Sequence, residues 1–297
     1  MRMSPNSSGF CSRFVLPFVF FSVLIIVCAH IFFSPTFRPN AFTNVLEANS
    51  APNAASKSIS PHIIEVYRSQ IKSRKEILKL VAAGKPPTQY SHADLYNSLV
   101  PEVFCPGLVR IGYIADGGKW VCSPHMVRKP CAIYSLGISN EYSFEDQIYE
   151  QTKCGIHGFD KDEMKPETVE AYKRMNATIM PALIAKETNV TARHYSFADI
   201  IKMYDHSRID ILKIDIEGAE YEVSNQIVSV PICQILIEMH GEAKKMMSLL
   251  EKFSKSGFYL FHHEINGAYI SACEYSLIHE SCLKEYGVEV VLGRYLS

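Results

Sequence analysis

At 297 residues, with 47% hydrophobic and 21% charged residues, the chain has room for one ordinary domain with extras or two small ones, and a globular composition that excludes overall disorder. Thirty basic residues stand against 31 acidic ones, a net charge of -1. The basic excess or stripe of a phosphate-binding surface is therefore missing, and no nucleic-acid partner is expected.

Residues 1–13 form a short segment with Arg2 and Arg13 and no acid. Residues 14–33 are apolar and of bilayer-spanning length, which predicts a transmembrane signal anchor with the N-terminus in the cytosol. A signal peptide cleaved near Val27-Cys28-Ala29 is the alternative, and would leave a secreted protein. Either way the remainder faces the secretory lumen, in the Golgi or endoplasmic reticulum, or the outside. Asn176-Ala-Thr178 and Asn189-Val-Thr191 have the form of glycosylation acceptors. Of nine cysteines, seven lie beyond residue 100, so at least one is left without an intramolecular partner. Cys105 with Cys122, flanking a glycine-rich turn, is the first candidate disulfide, and the others could equally be buried thiols.

Residues 34–60, rich in Pro, Asn, Ser and Ala, read as a flexible stem. Residues 61–100 read as an amphipathic helix and linker, with Ile63, Ile64, Tyr67, Ile71, Ile77, Leu78 and Val81 at helical spacing up to Gly84-Lys-Pro-Pro87. That helix could pack on the domain or stand as a stalk.

Residues 101–297 carry the main domain. Strands are predicted at 131–137, 154–160, 177–185, 210–216 and 234–240. Helices are predicted at 144–152, 166–175, 196–204, 219–227 and 242–256. Pro181 weakens the third strand or marks a sheet edge. Strand–helix alternation implies a parallel sheet covered on both faces. Residues 259–265 and 273–278, joined without a helix, should close it as an antiparallel hairpin. The fold class is thus α/β and Rossmann-like, with a mostly parallel seven-stranded sheet.

In such a sheet, ligands sit at the carboxyl ends of the strands. The first strand ends at Gly137, where a missing side chain lets backbone approach a ligand, although the full Gly-x-Gly-x-x-Gly pattern is absent. The second ends at Asp160, 23 residues on, suited to two ribose hydroxyls or simply a helix cap. Around the fourth, Lys213, Asp215 and Glu217 alternate with Ile214 and Ile216. Alternation puts them on one face, and Lys213 could neutralise either acid as a structural pair. Glu238 with His240, and His262 with Glu264, likewise share faces. A histidine there could act as general base, and His with carboxylate could also hold a divalent metal, though no metal ligand set is assigned.

The run Leu212-Lys-Ile-Asp-Ile-Glu-Gly-Ala-Glu220 resembles the hallmark of FkbM-type methyltransferases. More closely, the chain is similar to the membrane-anchored methyltransferase-like proteins of animals. The matching blocks, in order, are Asp116-Gly-Gly-Lys-Trp-Val-Cys122, Cys131 to Glu145, Phe159-Asp160, Glu238-Met-His240, Phe261-His-His-Glu264 and Cys273-Glu-Tyr-Ser276. The likeness covers about residues 101 to 285 and implies a class I methyltransferase fold. It further implies S-adenosylmethionine as cofactor and transfer to an oxygen or nitrogen acceptor: a glycan, a small molecule or a protein side chain. By position it assigns Ser135, Gly137, Ile138, Ser139, Glu145, Asp160 and Asp215 to the donor. It assigns Asp215, Glu217, Glu238 and His240 to catalysis, and Trp120, His262, His263 and Glu264 to the acceptor. Ser139 departs from the pattern, which often has a second glycine there. The competing reading is an inactive fold kept as a binding or scaffolding module. A nucleotide-sugar transferase ranks last, for lack of an Asp-x-Asp metal site at a strand end.

Overall fold

The computed structural model describes residues 60–114 and 117–297. The predicted membrane anchor and stem lie outside them. Among the described residues no helix is long and apolar enough to cross a membrane.

In chain order come helices α1 (Pro61–Ala82) and α2 (Ser91–Ser98), then short strands β1 (Val103–Phe104), β2 (Leu108–Ile111) and β3 (Lys119–Cys122). The alternating part begins with β4 (Ala132–Leu136), α3 (Ser143–Thr152), β5 (Gly155–Asp160), α4 (Pro166–Arg174) and β6 (Thr178–Pro181). After it come β7 (Leu183–Ala185), β8 (His194–Ser196), α5 (Phe197–Tyr204), β9 (Ile209–Ile214) and α6 (Glu220–Ile227). The last part is β10 (Ile232–His240), α7 (Ala243–Lys255), β11 (Phe258–Ile265), β12 (Ala272–His279) and β13 (Glu289–Val290).

Seven strands form the central sheet in the order β11-β12-β10-β9-β4-β5-β6. Strands β6, β5, β4, β9 and β10 are parallel, and β12 runs antiparallel between β10 and β11. The expected plan is therefore present. From β4 the chain steps outward through β5 to β6, then returns to the other side of β4 as β9. That reversal opens a crevice at the carboxyl ends of β4, β5 and β9. Every residue of β4 and β9 is buried, as a strand covered on both faces must be.

Two expectations are corrected and one open choice is resolved. The run 177–185 is not one strand. Pro181 ends β6, the edge strand, and β7 leaves the main sheet to pair with β8. The fourth strand stops at Ile214, so Asp215 and Glu217 belong to the turn after it. The helix expected in segment 61–100 is present as α1, and of its two open placements it takes packing on the domain. Leu78, Val81, Leu95, Tyr96 and Leu99 share one core with Met246, Met247, Leu249 and Leu250 of α7. The first turns of α1 leave Ile63, Val66 and Tyr67 exposed.

Cys105–Cys122 is a disulfide, as expected, and Cys131–Cys154 and Cys233–Cys282 are two more. Cys273 is a buried free thiol among the described residues. Asn176 and Asn189 are both exposed.

A buried acid ties the last residues to the sheet. Glu102 is fully buried and accepts hydrogen bonds from the backbone N–H groups of Leu260, Tyr295 and Leu296, at 2.9, 2.7 and 3.3 Å. Burial pushes its carboxyl above the usual range, and the three donors pull it back. Replacing Glu102 by Leu strands those donors in the interior. We expect a stability loss of about 3 kcal/mol or more by urea unfolding, whereas a loss under about 1 kcal/mol would show that the donors find other partners.

Candidate active site

A cavity of about 220 Å³ lies across the carboxyl ends of the parallel strands. Its lining follows the sheet: Ala182, Leu183 and Ile184 beyond β6, Phe159 to Asp162 at the end of β5, Gly137 to Ser139 after β4, and Lys213, Asp215, Ile216 and Glu217 at the end of β9 and beyond it. Gly117, Glu141 and Ala219 complete it. Gly137 has φ +81°, and a Cβ there would collide with the carbonyl oxygen of Asp215. Only glycine lets the two strand ends meet so closely.

Asp160 shapes the cavity wall. Its Oδ2 accepts the N–H groups of Ile138 and Ser139, both at 2.7 Å, and its Oδ1 accepts that of Asp162 at 2.9 Å. The loop after β4 is thus clamped to the end of β5. Behind it, Lys213 Nζ donates to the carbonyl of Gly137 at 3.0 Å and stands 3.5 Å from Glu145, which also accepts from Ser135.

On the other side of β9 the antiparallel strands carry a row of acids. Glu238, Glu274 and Glu264 pair in register across β10, β12 and β11. Like charges side by side on neighbouring strands destabilise a sheet. The β2–β3 hairpin supplies the counter-charges. Lys119 Nζ lies 2.5 Å from Glu274, 3.5 Å from Asp215 and 4.0 Å from Glu238, with its side chain only 1% exposed. Arg110 and the Trp120 indole both donate to Glu264, at 3.0 and 2.5 Å. The Gln234 side chain clasps the backbone of Cys122 through both its carbonyl and amide groups, fixing the hairpin to β10.

This crowding sets the protonation states. Burial alone would lower the Lys119 ammonium, but the Glu274, Asp215 and Glu238 carboxylates outweigh it and hold it charged. Burial works against an ionised Asp215 too, yet Lys119 and Lys213 keep its carboxyl below the ordinary value. Glu238 is pushed up to about 8, by burial and then by Glu274 and Asp215. His240 is raised to about 9, first by its contact with Glu220 and against the opposing effect of burial. Its Nδ1 is 3.5 Å from Glu220, while its Nε2 is 3.8 Å from Glu238 and 3.6 Å from Glu217.

Asp215, Glu238 and His240 each offer a ligand atom within 4.8 Å of the others, the spacing of a cation site. Lys119 already neutralises two of the three, which works against a second cation in the same place. No metal is assigned.

The family model described as "Methyltransferase domain" matches residues 54–279, most of the chain. The chain belongs to this methyltransferase family. Curated relatives include the human and rat proteins named "Probable methyltransferase-like protein 24", 25% and 23% identical over 163 residues. Each match covers 46% of this chain and 44% of the relative, so the chain spans less than half the length of these relatives. Among solved structures, TrmK of M. capricolum in complex with S-adenosyl-homocysteine superposes with TM-score 0.36 at 9% identity, covering 53% of this chain and 66% of that one. The N-terminal domain of EvdMO1, solved with S-adenosyl-homocysteine and D-fucose, gives 0.36 at 13% identity, covering 57% and 89%. At those scores the superpositions carry no argument. The cofactor of a methyltransferase domain on this fold is S-adenosylmethionine.

The geometry sorts the residues singled out in the sequence. Gly137, Ile138, Ser139, Asp160, Asp215 and Glu217 line the cavity. Ser135 and Glu145 do not: both are fully buried below it and hold Lys213 and Gly137 in place. Lys213 pairs with Glu145 rather than with Asp215 or Glu217. Glu217 shares no strand face with Asp215. It sits at φ 55° with its side chain 74% exposed, at the cavity mouth. Trp120 stacks on His262 at 4.4 Å and reaches Glu264, so these three do gather beside the acid row. His263 points to the other face, against Tyr275, where burial lowers it to about 4. Alternation along β11 separates it from its neighbours. Lys119, Glu274, Gly117 and Glu141 were missed. Lys119 and Glu274 stood inside family-like blocks, but nothing local marked them as partners.

Two outcomes follow. Lys119→Met leaves the buried Glu238 and the half-buried Asp215 and Glu274 without their cation, and should cost about 3–5 kcal/mol in urea unfolding. A loss below about 1 kcal/mol would show that the acids are held some other way. Both Glu238 and His240 take up protons more readily folded than unfolded, so their contributions to stability shrink as pH rises toward about 9. Unfolding free energy should therefore fall from about pH 4.5, through Glu238, to about 9, and His240→Gln should flatten the part of the fall above pH 6.5. An equal slope in the variant would remove His240 from the cause.

Proposed function

We propose that the protein transfers a methyl group from S-adenosylmethionine to a hydroxyl or amine acceptor held beside the acid row. The observation that carries this is the cavity at the strand-order switch, with glycine at the β4 turn and Asp215 at the boundary with the Lys119 cluster. The residues fit the donor. Phe159, Ala182, Leu183 and Ile184 offer an apolar wall for an adenine ring, and the bare backbone at Gly137 allows close approach.

When bound, the donor supplies an already activated methyl group and leaves as a neutral thioether. The protein's own task is alignment and exclusion of water. Lys119 keeps Asp215 ionised at the boundary between the cavity and the acid row. Glu238, once deprotonated on the alkaline side of neutrality, receives the acceptor's proton with His240 beside it. A carboxyl poised near neutrality suits that role. The stacked Trp120–His262 pair, with Glu264, offers a flat polar surface for the acceptor.

The FkbM-type likeness is part of this reading, as are the acceptor classes: a glycan, a small molecule or a protein side chain. The near-neutral charge favours these over a nucleic acid. We also place the domain in the secretory lumen or outside the cell, held by residues 14–33. Three disulfides and two exposed glycosylation-type asparagines support an oxidising compartment. An inactive binding module remains the second reading, favoured by Ser139 in place of a glycine.

Calorimetry of the full-length protein with S-adenosylmethionine tests the proposal. We expect saturable one-to-one binding, weakened about tenfold or more in Asp160→Ala, whose loop loses its clamp. Absence of binding by the wild type, or equal binding by the variant, overturns the reading.

A further inference from the structure

We propose that Glu141 binds the α-ammonium group of the donor's methionine moiety. This rests on the methyltransferase reading and adds a residue to it.

Glu141 lies in the turn between β4 and α3 and lines the cavity. Its Oε1 is engaged, accepting the Ser143 N–H at 3.0 Å. Its Oε2 is buried and has no hydrogen-bond partner. A carboxylate oxygen shut away from water without a donor is costly, so such an atom on a cavity wall points to a ligand. Gly117 faces it with φ +88°, and a Cβ there would collide with that same oxygen. The approach to Oε2 is thus narrow, and position 117 itself places no side chain in it.

The position selects the part of the donor. The adenine-compatible wall of Phe159, Ala182, Leu183 and Ile184 lies at the β5–β6 end of the cavity. Gly117 lies at the opposite end, two residues before Lys119, whose ammonium pairs with Asp215 at 3.5 Å. Glu141 therefore meets the amino-acid end, and the cation carried there is the α-ammonium. Asp160 is less available for this role, since its two oxygens already accept three backbone N–H groups. A charge-assisted hydrogen bond from an ammonium gives the buried oxygen the partner it lacks.

The test compares three probes by calorimetry on the full-length protein: S-adenosylhomocysteine, its deaminated analogue, and 5′-methylthioadenosine, which lacks the amino-acid portion. Glu141→Gln keeps the shape and the Ser143 contact and removes the charge. We expect it to lose about tenfold or more in affinity for S-adenosylhomocysteine and to hold methylthioadenosine within about twofold. The wild type should bind the deaminated analogue about tenfold more weakly, and the variant should cease to discriminate. The analogue arm needs no variant and stands even if Glu141→Gln folds poorly. Equal losses for S-adenosylhomocysteine and methylthioadenosine, or full affinity of the wild type for the deaminated analogue, overturn the inference alone. A wild type that binds none of the probes overturns the donor reading and this inference with it.

Discussion

The ammonium of Lys119, buried among Asp215, Glu238 and Glu274, is the interaction on which the rest of the site depends. The antiparallel end of the sheet sets three glutamates side by side, an arrangement that would push its own strands apart. The β2–β3 hairpin makes it tenable by laying Lys119, Arg110 and Trp120 over the row. The hairpin is itself held at its base by the Cys105–Cys122 disulfide and by Gln234. A region ahead of the sheet in sequence is thereby built into the functional end of the domain.

The cavity side is arranged by backbone rather than by charge. Gly137 allows β4 and β9 to end against each other, and Asp160 clamps the loop that follows. Lys213 fastens the same turn from below through the Gly137 carbonyl. Asp215 is the link between the two halves: its backbone closes on Gly137 while its side chain answers to Lys119. On the proposed reading, donor and acceptor meet across that junction.

Much of the fold was legible in the sequence because buried parallel strands are written as continuous apolar runs, each answered by an amphipathic helix. The antiparallel closing pair was legible from the short connection at Asn266-Gly-Ala268. The split at Pro181 was half legible, since proline announces an edge without saying where the chain goes next. The site was legible where the strand ends carry it, at Gly137, Asp160 and Asp215. It was not legible where partners are remote. Lys119 and Glu274 are 155 residues apart, and no local pattern joins them. Alternation also misled where the strand ended early, and so Glu217 was placed on a face it leaves.

The most direct measurement is a crystal structure of the protein with S-adenosylhomocysteine. The account predicts the adenine against Phe159, Ala182 and Ile184 and the sulfur near Asp215, with Lys119 still paired to its acids. A ligand bound elsewhere, or lying in this cavity with its sulfur turned away from Asp215, would contradict it.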